Sequence, residues 1–200
     1  MDIEPPRTQI YMRPRDALRR LGAAGLVHGL DDAALDALRK ECWDDDEDQL
    51  EEAGVVGILT MFYESIEKGR ADGFYWRDDQ FWNQTEDVVA ELSAILGIDP
   101  PIFVQESVTE KLSTLRRKEA IRVVTVQRDD GQTQELEARS LDDVVAAFNA
   151  ELKARGRTLR IVPLDTSGEW RMYVAMELPL ARQLAREGAL PVEDMEGLVD

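Results

Sequence analysis

The chain has 200 residues, of which 44% are apolar and 32% are charged, and its 41 acidic residues outnumber its 24 basic ones to give a formal net charge of -17. So large a negative charge repels phosphate backbones and anionic lipid, which excludes a general role in nucleic-acid binding or at a membrane surface. The apolar fraction is too high for a wholly disordered acidic chain, and the length allows one large domain or two small ones.

Four helices are predicted in the first half of the chain. Pro14 suits a first helical position and opens a helix that runs through residue 21. Asp31 is an N-cap candidate for a second helix, which runs to about residue 43. Apolar residues at helical spacing then predict a third helix over 55–66 and a fourth over 85–96.

The second half changes to the two-residue period of strands. Runs of β-branched residues and turn residues predict two hairpins, each followed by a helix. The order ββαββα implies an antiparallel sheet with helices packed on one face, so the predicted fold class is α+β with an N-terminal helical half. Two prolines after Gly97 place a division near residue 100, between an acidic helical (sub)domain at 1–99 and an α+β (sub)domain at 100–200, although the two can also form one continuous globular unit. The predicted strands cover 121–126, 133–138, 158–164 and 170–176, and the predicted helices cover 140–155 and 179–186.

The single cysteine and the single histidine limit the chemistry that the chain can perform. Cys42 cannot form an internal disulfide, and His28 cannot build a multi-histidine metal site. We expect Cys42 to be a small buried apolar residue and His28 to be a packing or turn residue.

No secretory signal or bilayer-spanning run is recognisable, so we expect a cytoplasmic protein. Since no catalytic signature stands out, we predict no catalytic residue, no metal and no cofactor, and an enzyme is disfavoured.

The most unusual segment is a run of acidic residues after the second predicted helix. Residues 31–106 carry 21 acidic against five basic residues, which accounts for nearly all of the net charge. Like-charged neighbours cannot be buried unpaired, so the run must face water, a cation or a basic partner. The alternative interpretation is a solvated helix start, where carboxylates interact favourably with the helix dipole. A calcium loop of the EF-hand type is excluded, because Gln49 and Val55 stand where Gly and Glu are required. The candidate partner-binding carboxylates are Asp44, Asp45, Asp46, Glu47, Asp48 and Glu51.

Two groups of carboxylates at helical spacing suggest a different function for the same segment. Glu47, Asp48 and Glu51 lie within one helical turn, and Glu64 and Glu67 form a second pair further along. This arrangement resembles the MazG-type nucleotide pyrophosphohydrolases, whose pattern is Glu-Glu-x-x-Glu followed by Glu-x-x-Asp. Asp48 stands here in place of the second Glu, and Glu67 in place of the final Asp. The resemblance implies that the two groups would hold magnesium on the phosphates of a nucleotide.

Aromatic residues crowd the segment between the third and fourth predicted helices. Eight of the 13 aromatic residues lie between residues 43 and 82, and five of these eight fall in residues 74–82. One interpretation is a long loop that is held in place by its own rings. The functional interpretation is a binding surface, because Trp and Tyr flanked by charge are typical interface anchors. The candidate partner-binding residues of this segment are Tyr75, Trp76, Asp78, Asp79 and Trp82.

Together these features favour a non-enzymatic, cytoplasmic, acidic binding protein. In its most concrete form it is a bacterial inhibitor, similar to an immunity protein or an antitoxin, that binds a basic protein such as a nuclease toxin. The alternatives are the magnesium-dependent pyrophosphohydrolase and a structural or scaffold protein. The partners expected are a basic protein, and neither nucleic acid nor membrane, while the oligomeric state is left open.

Overall fold

A computed structural model of the chain contains both helices and antiparallel sheets, which confirms the predicted α+β class. It describes residues 11–67, 70–71, 73–78, 85–97, 103–112, 118–127, 133–138, 140–166 and 170–193. In chain order the elements are α1 (Pro14–Ala23), α2 (Asp32–Cys42), α3 (Glu47–Glu67), β1 (Arg70–Ala71), β2 (Phe74–Asp78), α4 (Thr85–Ile95), β3 (Phe103–Leu112), β4 (Lys118–Gln127), β5 (Thr133–Ala138), α5 (Leu141–Ala154), β6 (Leu159–Pro163), β7 (Trp170–Glu177) and α6 (Leu178–Arg186).

The chain forms two compact units, and one of them is discontinuous in sequence. The first unit combines residues 1–68 with residues 178–200, and the second comprises residues 69–177. The contacts therefore divide the chain at two points, whereas the sequence placed a single division near residue 100. The last helix, α6, belongs to the same unit as α1, α2 and α3.

The helices of the first unit begin where local sequence signals place them. Pro14 occupies the first turn of α1, where its missing N–H costs nothing. The carboxylate of Asp31 accepts a hydrogen bond of 2.9 Å from the backbone N–H of Ala34, so it caps α2 as predicted. Leu35 and Leu38 are buried on one face of that helix. The Asp31 cap determines where α2 begins, and the apolar stripe of Leu35 and Leu38 determines which of its faces is buried.

α3 is two helices joined at a glycine. Gly54 has φ 65° and ψ −179°, a conformation that lies outside the helical region and is open almost only to glycine. The sequence predicts a helix over 55–66, and this corresponds to the part of α3 that follows Gly54. The part before Gly54 contains Glu47 and the end of the acidic run.

The second unit contains two antiparallel sheets. One has the strand order β1-β2-β7-β6, and the other has the order β3-β4-β5. α4 and α5 contribute most of the buried cluster that includes the first sheet's inward side chains. That cluster comprises Tyr75, Val88, Leu92, Leu96, Leu141, Val144, Val145, Phe148, Leu152, Ile161 and Tyr173.

From residue 118 the elements follow one another as β4, β5, α5, β6, β7 and α6, but the single antiparallel sheet that the predicted ββαββα order implied is not formed. β3 precedes the two strands of the first predicted hairpin and pairs with β4, and the two predicted hairpins belong to different sheets. β1 and β2 lie in a segment that was predicted to be a long loop or a binding surface. β3 was missed because its sequence FVQESVTEKL mixes charged and small polar residues with few apolar ones, so it lacks the strand-like composition of β4.

α5 is held by hydrogen bonds at its start and near its middle. Ser140 and Asp143 form a reciprocal capping box at its start. Further along, the side chain of Asn149 donates to the backbone carbonyl of Ile161 at 2.7 Å and accepts from the backbone N–H of Ile161 at 2.8 Å. Ile161 lies in β6, at the edge of its sheet, so Asn149 satisfies two backbone groups that no neighbouring strand covers.

Cys42 is exposed, which corrects the prediction that it is a buried apolar residue. It is the last residue of α2, so the buried stripe of Leu35 and Leu38 ends before it. None of the described helices is both long enough and apolar enough to cross a lipid bilayer.

Candidate binding surface

The acidic run forms a tight turn followed by a helix cap. Asp44 and Asp45 have φ values of 48° and 63°, so two successive residues adopt the left-handed conformation that reverses the chain after α2. Asp46 then accepts a hydrogen bond of 2.9 Å from the backbone N–H of Asp48. That bond satisfies one of the free N–H groups at the start of α3. Part of the run therefore has a structural role.

Two arginines hold Glu47 in place. Arg15, from α1, donates to both carboxylate oxygens of Glu47, at 2.7 and 2.9 Å, and also to Asp36 in α2 at 2.8 Å. Arg39, from α2, donates to Oε2 of Glu47 at 3.0 Å and forms a second ion pair of 2.7 Å with Asp45. The side chains of Arg15 and Arg39 are only 20% and 21% exposed. The cluster therefore links α1, α2 and the start of α3.

The pairing shifts the ionisation of Glu47 and Arg15 in opposite directions. The hydrogen bond from Arg15 holds the pKa of Glu47 below its ordinary value, and the nearby charge of Arg39 acts in the same sense. The hydrogen bond to Glu47 correspondingly raises the pKa of Arg15. Both groups are therefore charged at neutral pH, and Glu47 is the carboxylate most strongly tied to the fold around it.

Four further carboxylates of this region have no such role. Among the residues that the structure describes, the side chains of Asp44, Asp48, Glu51 and Glu52 make no hydrogen bond or ion pair. We call these four residues the acidic surface. Asp44, Asp48 and Glu52 are exposed and Glu51 is half-buried.

A groove of about 460 Å³ runs beside the acidic surface. Carboxylates line it together with three arginines. Arg15 and Arg19 lie in α1, and Arg13 directly precedes α1. Charges of both signs face the groove, and two of its arginines pair with carboxylates of the lining, Arg15 with Glu47 and Arg19 with Asp16. Its lining residues are Arg13, Arg15, Asp16, Arg19, Glu47, Asp48 and Glu51.

Two of the predicted aromatic anchors, Tyr75 and Trp76, belong to the core of the second unit. Tyr75 is 2% exposed and Trp76 is 7% exposed, and both lie in β2. The ring of Tyr75 stacks on that of Tyr173 with centroids 6.2 Å apart. Since a buried ring cannot contact a partner, Tyr75 and Trp76 are corrected from surface anchors to core residues. Asp78 ends β2 but its side chain lies outside the described part of the structure.

The predicted site residues are thus not brought together as one surface. The acidic residues lie in the first unit, whereas Tyr75 and Trp76 lie in the second. Asp79 and Trp82 lie outside the described residues, so their assignment to a binding surface stays a prediction.

The carboxylate groups of the magnesium hypothesis are described only in part. Glu47 is engaged by two guanidinium groups, which a metal ion would have to displace. Glu64 and Glu67 lie in α3, but their side chains lie outside the described part of the structure. Within the residues that it does describe, no group of three His, Cys, Asp or Glu side chains is placed to hold a metal ion.

Sequence reasoning missed the two arginines that organise the site. Arg15 is 32 residues from Glu47 and Arg39 is eight residues from it. A signal existed for Arg39, because residues 31–106 hold only five basic residues beside 21 acidic ones, so an arginine there is expected to pair; Arg15 lies outside that stretch. Which carboxylate each arginine chooses depends on how the helices pack, and that cannot be seen in the sequence.

Comparison with protein-family models, with curated proteins and with solved structures found no match to this chain. The function is therefore argued from the chain's own residues.

Proposed function

We propose that this protein is a non-enzymatic, cytoplasmic binding module whose acidic surface docks on a basic protein. An immunity- or antitoxin-like inhibitor that occupies the positively charged cleft of a nuclease or a similar toxin is its most concrete form. The proposal places the contact on Asp44, Asp48, Glu51 and Glu52.

One observation carries the proposal: the acidic run contains more carboxylates than its fold uses. Asp45 and Glu47 pair with arginines, and Asp46 caps α3. The four residues of the acidic surface repel one another and their neighbours without contributing a described contact. Such uncompensated repulsion within nine residues disfavours the folded state, and a cationic partner relieves it.

Clustered carboxylates act mainly on the rate of association. Complementary charge raises an association rate constant from about 10⁵–10⁶ to about 10⁸–10⁹ M⁻¹s⁻¹ at low salt. At physiological salt the screening length is about 8 Å, so the long-range part of the attraction is lost. The proposed interaction is therefore fast and salt-sensitive. Tyr75 and Trp76 are buried and cannot anchor the partner, so Trp82 is the aromatic anchor that the proposal retains.

The experiment compares two double variants that change the net charge equally. Asp48→Asn with Glu52→Gln removes two carboxylates of the acidic surface. Asp32→Asn with Glu187→Gln is the matched control, because both of its carboxylates are ion-paired with arginines of α1. Each immobilised protein is tested for capture of basic proteins at low and at physiological salt.

We expect the wild type and the control variant to capture the same basic protein at low salt, and the acidic-surface variant to lose it. Capture should weaken as salt increases. Equal capture by both variants, or capture that salt does not affect, would place the contact elsewhere. If none of the three proteins captures a basic partner, the proposed function is wrong.

The magnesium-dependent hypothesis makes a separate prediction, which the wild type and two single variants test. Magnesium or manganese should raise the melting temperature and support release of pyrophosphate from a nucleoside triphosphate. Glu47→Gln or Glu64→Gln should abolish both effects. Because Glu47 already pairs with Arg15 and Arg39, we favour the binding function, and a metal-dependent melting shift would reverse that preference.

A further inference from the structure

Residues 46–53 are bounded on both sides by left-handed backbone. Asp44 and Asp45 precede the segment with φ values of 48° and 63°, and Gly54 follows it with φ 65° and ψ −179°. The chain changes direction at each boundary. A few residues at the ends of an element are the usual places where a backbone rotation is absorbed, so both boundaries can act as hinges.

The segment is thinly anchored by apolar contacts. Within residues 46–53, all of which the structure describes, Leu50 is the one buried side chain. Elements with few buried apolar side chains open locally at lower free energy than the core does. The helix that follows Gly54 is far better anchored, through the buried side chains of Val55, Ile58, Leu59, Phe62 and Tyr63.

Charge inside the segment opposes its closed position. Residues 46–53 include five carboxylates among eight residues, and their repulsion from Asp36, Asp44 and Asp45, which lie outside the segment, favours separation. The attraction that holds the segment closed acts on Glu47, whose carboxylate forms a bidentate contact with Arg15 and a single contact with Arg39. Both arginines belong to other helices, so these contacts join the segment to α1 and α2.

We propose that residues 46–53 form a latched segment, which opens as one unit about Asp44–Asp45 and Gly54 and is held closed by the ion pairs of Glu47 with Arg15 and Arg39. Opening breaks those ion pairs, withdraws Leu50 from its buried position and leaves the helix after Gly54 in place. The proposal concerns the chain alone and does not depend on what binds to the acidic surface.

Hydrogen–deuterium exchange of the full chain, followed by mass spectrometry, tests this motion. In the wild type, the peptide that covers residues 46–53 should exchange about tenfold faster than the peptide over 55–63, as expected for a locally opening element. Glu47→Gln should accelerate exchange of the first peptide about threefold to tenfold, the range set by the loss of two partly exposed ion pairs, and leave the second unchanged. Glu52→Gln is the matched control, because it removes an equal charge that has no described partner.

Three results would overturn the proposal. Equal acceleration of both peptides by Glu47→Gln would mean that the segment opens only when the whole unit unfolds. No acceleration would mean that Glu47 does not hold the segment. The same acceleration by Glu52→Gln would assign the effect to net charge. Arg15→Gln provides a second variant that breaks the latch from the other side, and it should reproduce the effect of Glu47→Gln.

Discussion

Replacing Gly54 by alanine tests the break in α3, because the two possible structures of that region predict opposite signs. With φ 65° and ψ −179°, residue 54 occupies a region that alanine enters only at a cost of about 1–3 kcal/mol. A Cβ atom at this position would meet no atom within 4 Å, so the cost arises from the backbone and not from a clash. In a continuous helix the same substitution would instead stabilise the protein by about 1 kcal/mol.

Urea unfolding, followed by circular dichroism of the helices, measures the difference. With a slope of about 2 kcal/mol per molar urea, a loss of about 2 kcal/mol lowers the midpoint by about 1 M. Gly57→Ala is the control. It lies in the helix after Gly54, where a Cβ atom would be 3.3 Å from that of Ala53. The gain in helix propensity of about 1 kcal/mol is then offset by this close contact, so we expect little net change.

An unchanged or raised midpoint for Gly54→Ala would contradict the break in α3 at residue 54. That result would mean that α3 runs straight through residue 54, and the hinge proposed for residues 46–53 would lose its second boundary.

Two further predictions concern side chains that link separate elements. Because the pKa of Glu47 is held below its unfolded value of about 4.3, its contribution to stability is present above that pH and is lost as the pH falls through the folded pKa. Glu47→Gln should therefore have a lower urea midpoint at neutral pH than the Glu52→Gln control, and the difference between the two midpoints should disappear in acid. A difference that does not change with pH would contradict the ion-pair explanation. Asn149→Ala removes both hydrogen bonds to Ile161 and should cost the second unit about 2 kcal/mol, at about 1 kcal/mol for each bond. Lys153→Ala, at an exposed position of the same helix, should change stability little, and equal effects of the two variants in thermal unfolding would contradict the role of Asn149.

Sequence reasoning located elements whose signals are local. α2 was predicted because Asp31 caps it and Leu35 and Leu38 recur on one face, and all three signals lie within eight residues. α5 was predicted because Ser140 and an acidic first turn mark its start. Local signals of this kind do not depend on the rest of the fold.

The errors concern residues whose surroundings are set by distant parts of the chain. Tyr75 pairs with Tyr173 across β2 and β7, almost a hundred residues away, and that pairing turns a surface-like aromatic segment into a central strand. The acidic run was predicted to be a binding surface. Which of its carboxylates form ion pairs within the fold, and which do not, depends on the positions of Arg15 and Arg39. Composition indicates that charge accumulates there, whereas the packing of helices decides which charges are neutralised.

The return of the chain to its first unit has a consequence for folding during synthesis. The region after α6 is bonded to Met12, just before α1, through the N–H of Met12 and the carbonyl of Gly188 at 2.9 Å, and to α1 itself through the 2.6 Å ion pair of Arg20 with Glu187. About 110 residues separate the two pieces of this unit, and a ribosome adds roughly 5–20 residues per second, so α1 to α3 wait on the order of 5–20 s for α6. During that interval the second unit is synthesised in full and can fold first. The nascent helices meanwhile lack α6, whose Ala181 and Leu184 are buried in the folded chain, so their unit is incomplete and open to aggregation and to chaperones during this interval.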